Sequence, residues 1–254
     1  MTPLKVRGLT LGEGRPKICV PVMGRTSDEI CSSARALLSV PAELAEWRAD
    51  WYKEGLNPDC VRQVLTELRE ILKEMPILFT FRTASEGGEQ PAAPDQYIAL
   101  NRSVCADRLA DLIDIEYSMG TSAVSELIQA ARQAGVRTVL SSHDFRRTPP
   151  AQEILSRLQV MERAGADLPK VAVMPQSQQD VMELLQASLS MKQSSQVPFI
   201  TVSMAQTGVI SRLAGEFFGS AFTFGTAAGA SAPGQISARD LKQALEAIHN
   251  GLTY

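Results

Sequence analysis

The sequence is short of several things, and each shortage excludes something. Its 254 residues include four cysteines and two histidines. Cys19, Cys31, Cys60 and Cys105 stand far apart, with no CxxC pair and no histidine close by. That spacing offers no zinc-ligand pattern and no disulfide framework. The cysteines read as small hydrophobes in a reducing compartment. Basic residues are not in excess: 25 Lys and Arg face 28 Asp and Glu, a formal net charge of −3. Nucleic-acid and membrane-surface partners usually demand a strong basic excess, so neither is expected. No apolar run approaches the roughly 18 residues that a membrane span needs. The opening MTPLKVRGLTLGEGRPK scatters its charges where a signal peptide would hold an apolar stretch. The expectation is a cytoplasmic protein without metal or disulfide.

What is present is a patterned, core-forming chain, 44% hydrophobic and 21% charged, as soluble globular proteins are. Eight short β-rich runs recur at 17–23, 43–50, 76–82, 111–117, 136–142, 170–175, 197–203 and 220–225. Helical patterns with apolar residues three and four apart lie between them. TSDEICSSARALL opens on a Thr or Ser cap. NPDCVRQVLTELREILKEM opens on Asn57 with Pro58 at the first helical position. TPPAQEILSRLQVMERAG opens on Thr148 and closes on Gly165. Eight strands alternating with eight helices predict a (β/α)8 TIM barrel, one domain over 1–254. LKVRGLTLGEGRPK fits a short β-hairpin closing the bottom of that barrel. A doubly wound open sheet is the rival, but no GxGxxG follows an early strand.

One pattern does not suit a barrel core. Parallel strands covered on both faces should be nearly continuous in apolar residues. Here Glu46 and Arg48 share one face of the second run, Thr80 and Arg82 one face of the third, Asp114 and Glu116 one face of the fourth. Ser141 and His143 do the same in the fifth, Thr201 and Ser203 in the seventh. The large apolar residues between them are needed against the helices, so the polar set is expected inside the barrel. A buried charge costs several kcal/mol unless paired. A self-satisfied ion-pair network would explain the pattern, but a charged pocket at the carboxyl ends of the strands explains it better.

Lys170 opens KVAVMP in phase with Ala172 and Met174. Inside a barrel, among Arg48, Arg82 and His143, burial and neighbouring cations would lower its pKa and make it a carbonyl nucleophile. That placement requires the strand to begin earlier, near 166–168, or the side chain to span the gap. His143 ends the run VRTVLSSHDF, where an imidazole can take and return a proton. Glu86, in FRTASEGGEQ, would orient that ring and raise its pKa. Arg212, in TGVISRLAGEFFG, is expected near a helix start, where a carboxylate or phosphate is favoured. The Gly-, Ala- and Pro-rich 227–237 stretch carries Ser231 and Gln235 and reads as a loop able to fold over a ligand.

These stretches, taken together, resemble one family. EWRAD, FTFRTASEGGEQ, SSHDF, ADLPKVAVMP, TGVISRLAGE and SAPGQIS stand in the order and spacing of the type I 3-dehydroquinate dehydratases, the Schiff-base dehydratases of the shikimate pathway. The resemblance implies a (β/α)8 barrel, a homodimer, no cofactor and no metal. It implies that Lys170 forms the imine, that His143 is the general acid and base, and that Glu86 is its carboxylate partner. It further implies that Arg212 clamps the substrate carboxylate. Glu46, Arg48 and Arg82 would hold the substrate hydroxyls, and Ser231 and Gln235 would make the closing loop's contacts. Two departures stand out: Ala205 and Gln206 follow SM where Gly or Ser and then Lys are expected, and Pro21 replaces a serine. A class I aldolase, which would need a phosphate cradle, and a non-catalytic binder of small carboxylic acids are the competing readings.

Overall fold

The structure, a computed structural model, describes residues 1–227 and 236–253. It opens with an antiparallel hairpin, β1 (Leu4–Val6) and β2 (Leu9–Leu11). Eight parallel strands follow: β3 (Lys17–Val22), β4 (Leu44–Arg48), β5 (Ile77–Thr80), β6 (Leu112–Glu116), β7 (Arg137–Asp144), β8 (Leu168–Val173), β9 (Ile200–Ser203) and β10 (Phe222–Phe224). Each pairs with the next in sequence, and β10 returns to β3. The ring closes through a bridge between Phe199 and Ser220 and an Ala221 N–H donated to the Phe199 carbonyl at 2.8 Å. This is the expected (β/α)8 barrel, and all eight runs overlap a strand.

The helices are α1 (Ser27–Leu37), α2 (Pro58–Leu72), α3 (Pro94–Asp107), α4 (Thr121–Ala134), α5 (Ala151–Arg163), α6 (Gln178–Ser194), α7 (Val209–Leu213), α8 (Gly215–Phe218) and α9 (Ala238–Leu252). Short polar side chains cap the exposed donors of their first turns. Thr26 accepts from the Glu29 N–H, and Asn57 accepts from Asp59 and Cys60 ahead of Pro58. Two expectations need correction. α5 does not start at Thr148: Thr148 and Pro149 both precede a proline, which pushes them out of helical backbone, so the helix begins at Ala151. The single helix expected after β9 is instead two short pieces broken at Ala214.

The barrel interior is built in layers. Cys19, Leu44, Leu78, Leu112, Val139, Leu168, Ile200 and Phe222, one from each barrel strand, form a buried apolar floor. Val6 and Leu11 of the hairpin pack against it from below, so the hairpin closes the bottom as expected. Side chains two residues further along each strand lie one layer higher. There the ring divides: β4 to β8 present Glu46, Thr80, Asp114, Ser141 and Lys170, while β9, β10 and β3 present Val202, Phe224 and Pro21. The parity expected for β9 is reversed. Ile200 and Val202 turn inward, and Thr201 meets Ser188 of α6 at 2.7 Å between hydroxyls. The Ser203 N–H donates to Ser211 of α7 at 3.0 Å. A small, uncharged hydroxyl can be buried in the helix layer, paired as in Thr201 or without a partner among the described residues as in Ser203, so alternation alone did not fix their side. Among the described residues no helix is long and apolar enough to cross a membrane.

Candidate active site

A cavity of about 290 Å³ opens at the carboxyl ends of the barrel strands. Glu46, Arg48, Arg82, His143, Lys170 and Arg212 all line it, so the structure brings together six of the nine residues expected from the sequence. Glu86 joins them through His143. Ser231 and Gln235 lie outside the described residues.

Lys170 sits on the floor of this cavity, 4% exposed. β8 begins at Leu168, so Lys170 is its third residue and shares the inward face with Leu168 and Ala172. The earlier strand start that the placement required is therefore present. Its Nζ lies 3.5 Å from Asp114 Oδ2 and 4.8 Å from the centre of the Phe224 ring. The aromatic face and the carboxylate bracket the amine from two sides.

Arg82 is the hub of the charged half. It donates to Glu116 and to Ser141 at 3.0 Å each and reaches Asp114 Oδ1 at 2.8 Å. Glu116 also accepts from the Thr83 N–H and hydroxyl at 2.8 and 2.7 Å. Arg48 is held by two 2.8 Å bonds to Asp50, and Thr80 donates to Glu46 at 2.9 Å. The charges are thus largely paired, as burial demands. Paired arginines cannot swing, which makes them a rigid wall.

His143 and Glu86 meet beside Arg82, whose guanidinium lies 3.7 Å from Glu86 Oε2. The Nδ1 of the ring lies 2.9 Å from Glu86 Oε2, which also accepts the His143 backbone N–H at 3.1 Å. Phe145 stacks on the ring, centroids 6.2 Å apart and planes 18° apart. Phe145 in turn lies over Gly87, where an added Cβ would come within 2.5 Å of it. Burial pushes the imidazole well below its ordinary value, and Arg82, Lys170 and Arg48 push it the same way. Burial raises the Glu86 carboxyl to about 7, against the opposing pull of Arg82 and of the Ser118 hydroxyl. The expectation that Glu86 would raise the imidazole is therefore corrected: three cations and desolvation outweigh one carboxylate. The ring is held neutral, and a carboxylate at Nδ1 assigns the proton to that nitrogen. Nε2 is left with a free lone pair, the form a general base requires.

Arg212 differs from the other arginines. It is the fourth residue of α7, near the helix start as expected, but a helix of five residues offers little dipole, so its guanidinium supplies the positive charge. It is partly buried, its buried Nε has no hydrogen-bond partner, and it makes no ion pair among the described residues. Burial lowers its pKa. A partly buried cation that faces a cavity and has no ion-pair partner among the described residues calls for an anion.

Sequence reasoning placed Asp114 and Glu116 inside the barrel without assigning them to the site. The structure makes Asp114 the only carboxylate paired with Lys170 among the described residues. Ser118 was not singled out at all, although it donates to Glu86 at 2.5 Å. The apolar wall of Met23, Val202, Met204 and Phe224 also escaped notice. Pro21, one of the departures, lines the cavity.

The chain's likeness to known proteins agrees with this geometry. The family model described as Type I 3-dehydroquinase matches residues 18–251. The 3-dehydroquinate dehydratase of Bacillus licheniformis is 48% identical over 250 residues, which cover 98% of each chain. A crystal structure of type I 3-dehydroquinate dehydratase from Clostridium difficile, with covalently modified comenic acid, superposes with a TM-score of 0.97. It is 45% identical, with 98% of this chain and 99% of that one covered. The 3-dehydroquinate dehydratase of Geobacillus kaustophilus gives a TM-score of 0.94 at 36% identity, over 98% and 97% of the two chains. The chain belongs to the type I 3-dehydroquinase family, a family of hydro-lyases.

Proposed function

We propose that the chain dehydrates 3-dehydroquinate to 3-dehydroshikimate, a step of the shikimate pathway, through an imine on Lys170. The observation that carries this reading is the position of the Lys170 amine. It is buried on the floor of a cavity whose rim holds the His143 imidazole and whose wall holds Arg212, which makes no ion pair among the described residues.

The substrate is a β-hydroxy ketone bearing a carboxylate. Arg212 takes the carboxylate and so fixes which end of the ring enters. The Lys170 amine adds to the ketone, and loss of water from the adduct leaves a protonated imine. That cation is an electron sink, so the neighbouring C–H becomes acidic. His143 removes that proton at Nε2, and the electron pair moves into the enamine. The imidazolium is then stabilised by Glu86 at Nδ1. The enamine pushes out the hydroxyl beyond it while His143 returns the proton to the leaving oxygen. Water then hydrolyses the conjugated imine, releasing the enone and restoring the amine. Glu46, Arg48 and Arg82 bind the ring hydroxyls in this reading.

The test has two parts. Incubation with 3-dehydroquinate should produce the strong ultraviolet absorption of a conjugated enone. Borohydride added during turnover should leave the reduced ligand's mass on the peptide containing Lys170, and Lys170→Ala should abolish both signals. A Lys170→Ala variant that turns over at full rate defeats the reading. Scission of a carbon–carbon bond would favour an aldolase, and binding without turnover would favour a sensor.

A further inference from the structure

We propose that Ser118 is a positioning residue for this reaction: its hydroxyl fixes the rotamer of Glu86 and, through Glu86, the proton-accepting tautomer of His143. The inference rests on the reading of His143 as the general base.

Ser118 lies in the single turn of 3-10 helix, Tyr117–Met119, that follows β6 directly. Glu86 lies at the end of another such turn, Ala84–Glu86, that follows β5. The two turns meet above the strand ends, and the Ser118 hydroxyl donates to Glu86 Oε1 at 2.5 Å. The other oxygen, Oε2, takes both N–H groups of His143. Each oxygen of one carboxylate is thereby committed to a different strand, and the carboxylate plane cannot rotate without breaking a bond. Arg82, the nearest cation, stands at 3.7 Å from Oε2, beyond hydrogen-bond distance. Ser118 is thus the one side-chain donor to Oε1 among the described residues.

The environment makes that donor consequential. Glu86 is buried, which disfavours its charge most; Arg82 and the Ser118 hydroxyl favour the charge, and Glu116 and Asp114 of β6 disfavour it. His143 on β7 is itself faced by Arg82, Lys170 and Arg48. Glu86 is therefore poised between its two forms near neutral pH. Once protonated at Oε2, its carboxyl would donate to the ring rather than accept from it, and the imidazole would have to turn its lone pair to Nδ1. Nε2 would then carry the proton and could not act as a base. A hydroxyl donor to the carboxylate favours the ionised form and delays that switch to lower pH.

The experiment is the pH dependence of kcat/KM for Ser118→Ala, Ser118→Thr and the unaltered protein, with His143→Ala alongside. Ser118 is exposed and sits in a surface turn, so the variants should fold; circular dichroism and thermal unfolding verify it. Ser118→Ala should move the acid limb up by about half a unit or more, a loss of roughly threefold on that limb and little loss at alkaline pH. Ser118→Thr, which keeps the hydroxyl, should restore the original limb. An unmoved limb in Ser118→Ala would mean that a water replaces the hydroxyl without consequence and would overturn the inference, leaving the role of His143 intact. Normal turnover in His143→Ala would instead overturn the reading on which the inference rests.

Discussion

Asp114 lies between two buried cations, with Oδ1 at 2.8 Å from Arg82 and Oδ2 at 3.5 Å from the Lys170 amine. One carboxylate therefore holds a wall residue and the proposed nucleophile in fixed relation. Ser141 donates to the same carboxylate at 2.6 Å. Catalysis needs a lysine that is held but not extinguished, and a 3.5 Å contact does the first without the tight bond that would do the second.

Asp114→Asn should be the most destabilising conservative change in the site. Burial alone would raise this carboxyl, but Arg82 and Lys170 overcome burial and hold it below the ordinary aspartate range. A depressed folded-state value means that the stabilisation is present above that range and lost as pH falls through it. The substitution leaves two buried cations short of an anion, which costs about 3–5 kcal/mol. Urea unfolding at pH 7 should show a lowered midpoint, and the gap from the unaltered protein should narrow towards pH 3. A gap that does not change with pH would refute the electrostatic origin.

The two histidines make a direct test of the imidazole's state possible. His249 pairs with Glu216 on the outside of the barrel, and His143 is buried among cations. A ¹⁵N-edited spectrum of ring nitrogens contains two spin systems, and His143→Ala identifies which is which. The His143 ring should remain neutral through pH 6.5, with its proton on Nδ1 above about pH 7, where Glu86 is ionised, and its midpoint lower still. A midpoint above 6.5 would show that Glu86 dominates its surroundings after all.

Glu86 should be a residue kept for chemistry at the expense of stability. Its carboxyl is raised from 4.5 to about 7, so its contribution favours the fold below about 4.5 and is lost as pH rises through about 7. Glu86→Gln removes the buried charge and keeps an acceptor for the His143 N–H groups. At pH 8 the variant should be more stable than the unaltered protein by up to about 3 kcal/mol, the free energy of that shift. Near pH 4.5 the two should coincide. Turnover should fall by roughly 10- to 100-fold, as expected when a partner that orients a functional group loses its charge. A variant less stable at pH 8 would mean that the carboxylate is structurally required.

The parts of this site that could be read from the sequence are those where physical chemistry leaves little choice. Glu46 and Arg48, Thr80 and Arg82, and Asp114 and Glu116 each repeat at a spacing of two, and charges on one face of a barrel strand have nowhere to go but a pocket. Thr201 and Ser203 showed the same spacing and pointed the other way: Ser188 on α6 satisfies the Thr201 hydroxyl, and the Ser203 hydroxyl is buried without a partner among the described residues. Alternation reveals which residues share a face; only charge decides which face it is. Thr148 was misread as a cap because the two prolines after it forbid the helical backbone that a cap would start. Ser118 left no trace, since its partner Glu86 is 32 positions away and meets it only once β5 and β6 lie side by side. Motif order carried the resemblance, but the tautomer, the unpaired guanidinium and the Asp114 bracket exist only in three dimensions.

Arg212 should behave oppositely to Asp114, because it is a charge buried ahead of its partner. Its Nε lacks any acceptor, and desolvation alone lowers its pKa. Without ligand, the fold bears the cost of this cation; with a bound carboxylate, the pair is satisfied. Arg212→Met keeps the stem's packing and deletes the charge. The unliganded variant should melt no lower than the unaltered protein, and somewhat higher if the desolvation cost is relieved. Its KM for 3-dehydroquinate should rise on the order of a hundredfold, since losing a buried charged partner costs about 3 kcal/mol. kcat should change far less, because the carboxylate is bound equally in ground and transition states. Ligand-induced stabilisation should vanish along with the affinity. A variant that melts lower and keeps its KM would place Arg212 among the structural residues and leave the substrate carboxylate to be bound elsewhere.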